Sequence, residues 1–154
     1  MRTPPALVKG DKVGLVSTAR KITRKELRPA MAQLEAWGLE VLTGKNLFKN
    51  NHQFAGTAKQ RQADFEAFAE DPEVKAIFCV RGGYGTVQLI DAINLYKLFE
   101  TPKWVVGYSD VTVLHNKLSL MGIESLHATM PINFASNTTA SLESLRQALF
   151  GEKL

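Results

Sequence analysis

Lys75-Ala76-Ile77-Phe78-Cys79-Val80-Arg81-Gly82-Gly83-Tyr84-Gly85 is the stretch that decides the fold. Its first six residues are nearly all apolar and show no polar alternation, the pattern of a strand covered on both faces in a parallel sheet. The glycines that follow make a tight turn. Val87, Leu89, Ile90 and Ile93 then fall on a helical pattern,. Strand, turn and helix in that order are the unit of an α/β domain.

Outward from this stretch the same alternation recurs. Val13-Gly14-Leu15-Val16-Ser17 reads as a first strand ending in a polar turn. Thr23-Arg24-Lys25-Glu26 has the spacing of a capping box, in which hydroxyl and carboxylate satisfy each other's exposed N–H groups,. Leu27, Met31, Leu34 and Trp37 form one apolar helical face, and Gly38 sits where a helix ends,. Leu39 to Leu42 make a second strand, and a polar stretch from Gly44 to Gly56 is the longest loop. Thr57-Ala58-Lys59-Gln60 offers a second capping box, opening a helix with Phe65, Phe68 and Ala69 on one face that runs to Asp71-Pro72,. On the other side, Lys103 to Gly107 is a fourth strand, Val111 to Met121 a helix, Ile123 to His127 a fifth strand, and Leu142 to Phe150 a last helix closed by Gly151. The expected fold is α/β, with a parallel sheet of about five strands and flanking helices, a flavodoxin- or Rossmann-like three-layer domain. Ligands of such sheets bind outside the carboxyl ends of the strands. The turns at 17–20, 81–85, 107–110 and 127–131 lie on that edge.

Composition sets outer bounds. The 154 residues fit one domain,. Apolar residues make up 45% and charged residues 22%, values of an ordinary folded chain,. Nineteen basic and fifteen acidic residues leave a charge of +4. The basic residues are scattered apart from a loose group at 20–28, which reads as a solvated helix face rather than a nucleic-acid surface. Cys79 is the only cysteine, which excludes an internal disulfide, and its apolar neighbours point to a buried thiol,. No run of about 18 apolar residues suggests a membrane span, and the first residues lead into no apolar leader segment. A soluble, cytoplasmic protein is expected.

Gly107-Tyr108-Ser109-Asp110 carries the most chemistry. A serine on a sharp strand-to-helix turn presents its hydroxyl at the top of the sheet, with free N–H groups of the next helix beside it. Such groups can hold the oxyanion of a tetrahedral intermediate. The plainer reading is that Ser109 or Asp110 caps the helix, and the second glycine of G-x-S-x-G is missing. Arg81-Gly82-Gly83-Tyr84-Gly85 lacks the third glycine of a dinucleotide fingerprint, so a second oxyanion donor fits better there than a phosphate cradle. A plain βα turn fits equally. None of the histidines makes a convincing base. His115 lies six residues beyond Ser109 on the same helix, roughly 9 Å along the axis,. His127 ends the fifth strand at the ligand edge, and His52 sits in the long loop. No two histidines have metal-ligand spacing, so no metal site is expected.

Four ordered segments resemble the LD-carboxypeptidase family of serine peptidases, which includes the microcin-immunity peptidases. They are Phe54-Ala55-Gly56-Thr57 with Arg61 and Asp64, Ala76 through Gly85, Pro102 through Asp110, and His127-Ala128-Thr129-Met130-Pro131. In the last, Ala128 and Thr129 depart from the family's His-Gly-Pro-Met pattern. The resemblance implies that Ser109 is the nucleophile and that the backbone N–H groups of Asp110 and Gly83 are oxyanion donors, with Gly82 an alternative to Gly83. Asp110's carboxylate is then expected to cap the helix. Gly82, Tyr84 and His127 are expected to line the substrate site. The implied reaction removes a terminal D-amino acid from an L-centre of a murein tetrapeptide, a small peptide substrate, in cell-wall recycling. No cofactor is implied, and the full-length protein is expected to be a homodimer. Family members are about twice this length, and their triad glutamate and histidine lie in a C-terminal half. Residues 1–154 therefore match the nucleophile-bearing N-terminal domain, and this stretch alone is expected to be close to inactive. Two other readings remain: a microcin-immunity-type peptidase acting on peptidyl-nucleotide conjugates, and a non-catalytic α/β module that binds a small anion.

Overall fold

A computed structural model of the chain describes residues 1–153. Five strands form a single parallel sheet: β1 (Lys12–Val16), β2 (Glu40–Thr43), β3 (Val74–Cys79), β4 (Trp104–Gly107) and β5 (Leu126–His127), in the order β2-β1-β3-β4-β5. Side chains alternate across the pleat. Ala76 and Phe78 of β3, with Trp104 and Val106 of β4, enter one apolar layer, while Ile77, Cys79 and Val105 enter the other. The first layer is covered by α1 (Arg24–Ala36) and α5 (Thr139–Phe150), through Leu27, Leu34, Leu145 and Leu149. The second is covered by α2 (Ala58–Glu70), α3 (Tyr96–Glu100) and α4 (Thr112–Leu120), through Phe65, Leu98, Leu114 and Leu118. The expected three-layer α/β architecture is therefore observed.

Local signals start α1 and α2 where the sequence places them. Thr23 with Glu26 and Thr57 with Gln60 both close full capping boxes,. Gly151, left-handed at φ 68°, ends α5,. Cys79 is fully buried, and that burial pushes its thiol up to about 12, so it packs as a small apolar side chain,. Among the described residues no helix is long and apolar enough to cross a membrane.

Three boundaries differ from expectation by more than one residue. The helix expected after Gly85 is a single 3₁₀ turn, Thr86–Gln88, and the next true helix is the short α3. Side chains from α2 and α4 take the backbone groups that a helix would pair internally. Arg61 donates to the Gly85 carbonyl, Gln62 to that of Ala92 and Lys117 to that of Ile90, while Glu66 accepts from the Asn94 N–H. Strand five is shorter than the 123–127 expected, because Ile123 bridges Arg2 instead of pairing with β4. The last helix begins at Thr139 rather than Leu142, because the Thr138 hydroxyl caps it one turn earlier,.

Strand order reverses between β1 and β3, since β2 lies on one side of β1 while β3 lies on the other. The crevice at their carboxyl ends is the topological switch point, the usual ligand position of this fold. The turns after β1, β3 and β4 all meet there.

Candidate active site

The turn after β4 is built around a strained serine. Ser109 has φ 61°, is exposed, and opens the 3₁₀ turn Ser109–Val111 that leads into α4. A left-handed non-glycine residue costs about 1–2 kcal/mol, so packing must hold it. Gly107 makes the bend possible: a Cβ there would lie 3.0–3.2 Å from the Val111 side chain. Beneath the bend, the Gly107 carbonyl accepts from His115 Nε2 (2.8 Å) and from the Ala128 N–H (3.1 Å). His115 must therefore carry its proton on Nε2, which leaves Nδ1 to accept from the Ser125 hydroxyl at 2.7 Å,. Burial pushes its pKa below the ordinary value,. This histidine supports the elbow from below and has both ring nitrogens engaged, so it is no base for Ser109.

The turn after β3 lies alongside. Gly82 is buried, and a Cβ on it would sit 3.5 Å from Asp110 Cβ and 3.6 Å from the Asp110 amide nitrogen. Gly83 (φ 101°) is exposed, with the Arg20 side chain lying across it. Among the described residues, the N–H groups of Gly82, Gly83 and Asp110 have no acceptor. Tyr84 is exposed and meets the Phe54 ring at 6.2 Å between centroids. His127 is exposed on the β5 side, edge-on to Tyr108 at 6.3 Å. Tyr108, His127, Ala128, Thr129, Asn133 and Asn137 line an open cleft of about 420 Å³ there. The structure thus packs Gly82 against Asp110, the neighbour of Ser109, with Gly83 next in the same turn, while His127 lies beside Tyr108 and Tyr84 against Phe54. His52 stays in its loop, in a left-handed conformation at φ 55°.

Asp110 does not cap the helix. No side-chain cap bond forms at that turn. Instead Asp110 Oδ2 accepts from the Thr86 N–H at 2.9 Å and from the Thr86 hydroxyl at 2.7 Å. Thr86 offers this oxygen two donors, an N–H and a hydroxyl, at once. Because the Thr86 proton is committed to Asp110, Thr18 donates to Thr86 Oγ1 at 2.7 Å. Behind this chain Arg61, 2% exposed, donates to the carbonyls of Thr18 (2.6 Å) and Gly85 (3.1 Å) and to Gln88 Oε1 (2.5 Å). Its guanidinium also stacks 4.8 Å from the Phe54 ring centroid,. Burial lowers the Arg61 pKa, an effect partly opposed by the Asp110 carboxylate.

Thr18 and Thr86 are the residues that sequence reasoning missed. Arg61 left a readable sign: with Asp64 it lies one helical turn before Phe65 and Phe68, on the apolar face of α2,. A charge on a buried face needs partners. Asp64 finds them in the N–H and Nδ2 of Asn46, at 2.9 and 2.8 Å, which anchors the long loop, and burial raises its pKa.

An α/β domain with a strained serine at a strand-to-helix turn, set against a glycine turn at the switch point, defines the class. Within it, residues 13–128 match the LD-carboxypeptidase N-terminal domain, and the chain belongs to the LD-carboxypeptidase family. It is 40% identical over 129 residues to a probable murein peptide carboxypeptidase of Bacillus subtilis, covering 82% of this chain and 40% of that protein. To the murein tetrapeptide carboxypeptidase of Pseudomonas aeruginosa it is 30% identical over 117 residues, 75% of this chain and 38% of that one. An MccF-like protein from Bacillus anthracis shares the fold, with a TM-score of 0.89 and 24% identity over 97% of this chain and 47% of that one. The chain spans less than half the length of these relatives.

Proposed function

We propose that this chain is the nucleophile-bearing part of a serine LD-carboxypeptidase that removes the terminal D-amino acid from a murein tetrapeptide. The observation that carries the reading is the exposed, left-handed Ser109 at the end of β4, followed by the unpaired N–H of Asp110, against which the turn carrying Gly82 and Gly83 packs. Ser109 Oγ attacks the amide carbonyl of the L-centre and passes its proton to a base. The carbonyl oxygen becomes an oxyanion facing the N–H groups of Asp110 and Gly83, worth about 10²–10³ in rate per donor. The C–N bond then breaks, the departing amine takes the proton, and water hydrolyses the ester left on Ser109. His115, engaged on both ring nitrogens, does not take that role; by the resemblance to the family, the base is a histidine oriented by a glutamate, both outside this 154-residue stretch. The cleft beside Tyr108 and His127 lies where the peptide can extend.

The test is turnover of a peptide ending in L-lysyl-D-alanine by the intact protein that carries this chain, followed as free D-alanine. Ser109→Ala is expected to lower kcat by at least about 10³-fold with little change in KM. Turnover that survives this substitution ends the reading. A peptidyl-nucleotide conjugate run in parallel decides between the murein peptide and the microcin-type substrate. The 154-residue chain by itself is expected to show no turnover.

A further inference from the structure

The glycine turn and the serine elbow belong to different βα units, 24 residues apart between Thr86 and Asp110. The pairing of β3 with β4 sets the two units side by side but ends at Phe78 and Val106, before either turn, and an oxyanion site needs one N–H from each turn at a set distance. The Asp110 carboxylate spans that gap. Its bonds to the Thr86 N–H and hydroxyl run from the first residue after the serine to the first residue after the glycines. Thr86 is 1% exposed, so the donor side of both bonds is shielded from water, while Asp110 is half-buried,. The tie is anchored in turn: Thr18 holds the Thr86 hydroxyl from the β1 side, and Arg61 holds the carbonyls of Thr18 and Gly85.

We propose that Thr86 is a positioning residue, which through the Asp110 carboxylate holds the N–H groups of Gly83 and Asp110 in register for the oxyanion. The proposal rests on the reaction assigned to Ser109 above. It gives the Asp110 side chain a job distinct from that of its own N–H. Thr86 touches no reacting atom. Its hydroxyl acts by fixing where Asp110 sits, and a misplacement of about 1 Å at such a site can cost about 10²-fold in rate. The effect belongs to the transition state, because the oxyanion forms only there.

The experiment uses the intact protein carrying this chain, with reactive Ser109 titrated by a fluorophosphonate so that misfolded molecules are not counted. Thr86→Val keeps the shape and the N–H but removes the hydroxyl donor. It is expected to lower kcat per titrated serine about 10–100-fold with KM within about twofold. Thr86→Ser restores the donor and is expected to stay within about threefold of the parent. A Val variant within threefold of the parent, or a loss confined to KM, overturns the proposal. A second measurement is independent of turnover: amide hydrogen exchange in the 154-residue chain. Asp110→Ala is expected to speed exchange at the Thr86 N–H at least about tenfold while Phe78 in the core is unchanged. Unchanged protection at Thr86 also overturns it. If Ser109→Ala leaves turnover intact, the assigned reaction fails, and the tie between the two turns is decided by the exchange result alone.

Discussion

The glycine turn after β3 and the serine elbow after β4 solve the same backbone problem with opposite residues. Both must turn the chain sharply at the switch point and leave N–H groups open. At 83 and 85 the chain uses glycine, with φ of 101° and 143°, values a side chain rarely allows,. At 109 it uses serine at φ 61° and accepts the strain,. The glycine turn can be relaxed because its backbone alone matters. The elbow cannot, because the strained residue is the one whose side chain must reach the ligand edge. Backbone strain held at an exposed turn residue is the kind of outlier that clusters at functional sites, which supports the role proposed for Ser109,.

The largest effect expected from breaking this contrast lies on the glycine side. A Cβ at 85 would come within 2.8 Å of Arg61 Nη1 and 2.9 Å of Ala19 Cα. Gly85→Ala therefore meets backbone on one side and a buried guanidinium on the other, on top of a disallowed φ. It is expected to destabilise the chain by about 3 kcal/mol or more, read as a lowered urea midpoint. A loss under about 1 kcal/mol would show that the glycine turn is softer than its neighbours suggest.

On the serine side the sign reverses. Ser109→Gly removes the left-handed penalty while adding some freedom to the unfolded chain, of order 0.4–1 kcal/mol. The balance is a gain of up to about 1.6 kcal/mol, together with loss of the turnover proposed for the intact protein. A destabilised glycine variant would mean that the serine side chain has stabilising contacts that offset its backbone, and that the elbow is no more strained than the turn beside it.

The two turns also differ in how legible they were. Strands β3 and β4 show in the sequence as apolar runs, because burial on both faces leaves no room for polar residues. The capping boxes at Thr23 and Thr57 show because every partner lies within four residues. Ser109 was visible as a candidate from its place at a strand end. The role of the Asp110 side chain was not, since a carboxylate at a helix start reads as a cap unless a donor 24 residues away is known. The stretch after Gly85 failed for the same reason. Its apolar spacing is helical, yet Arg61, Gln62, Glu66 and Lys117 reach in from other elements and satisfy the backbone another way. Local pattern is readable; competition from side chains distant in sequence is not.

A smaller effect separates the two turns by what each rests on. The glycine turn leans on Arg61, which stays protonated at any working pH,. The elbow leans on His115, whose neutral ring donates to the Gly107 carbonyl and accepts from Ser125. Burial lowers the folded-state pKa of His115 below its ordinary 6.5. As pH falls below about 6.5 the unfolded chain takes up a proton that the folded chain refuses, so stability declines; above that value the contribution is complete. Protonation would also reverse the Ser125 bond, with Nδ1 the donor and the hydroxyl the acceptor,. The urea midpoint is therefore expected to fall between pH 6.5 and 5 in the parent and to fall less in His115→Gln, while Arg61→Met leaves the slope in that window unchanged. A parent and a His115→Gln variant with equal slopes would show that the titrating support under the elbow is not this histidine, and the two turns would then share a pH-independent footing.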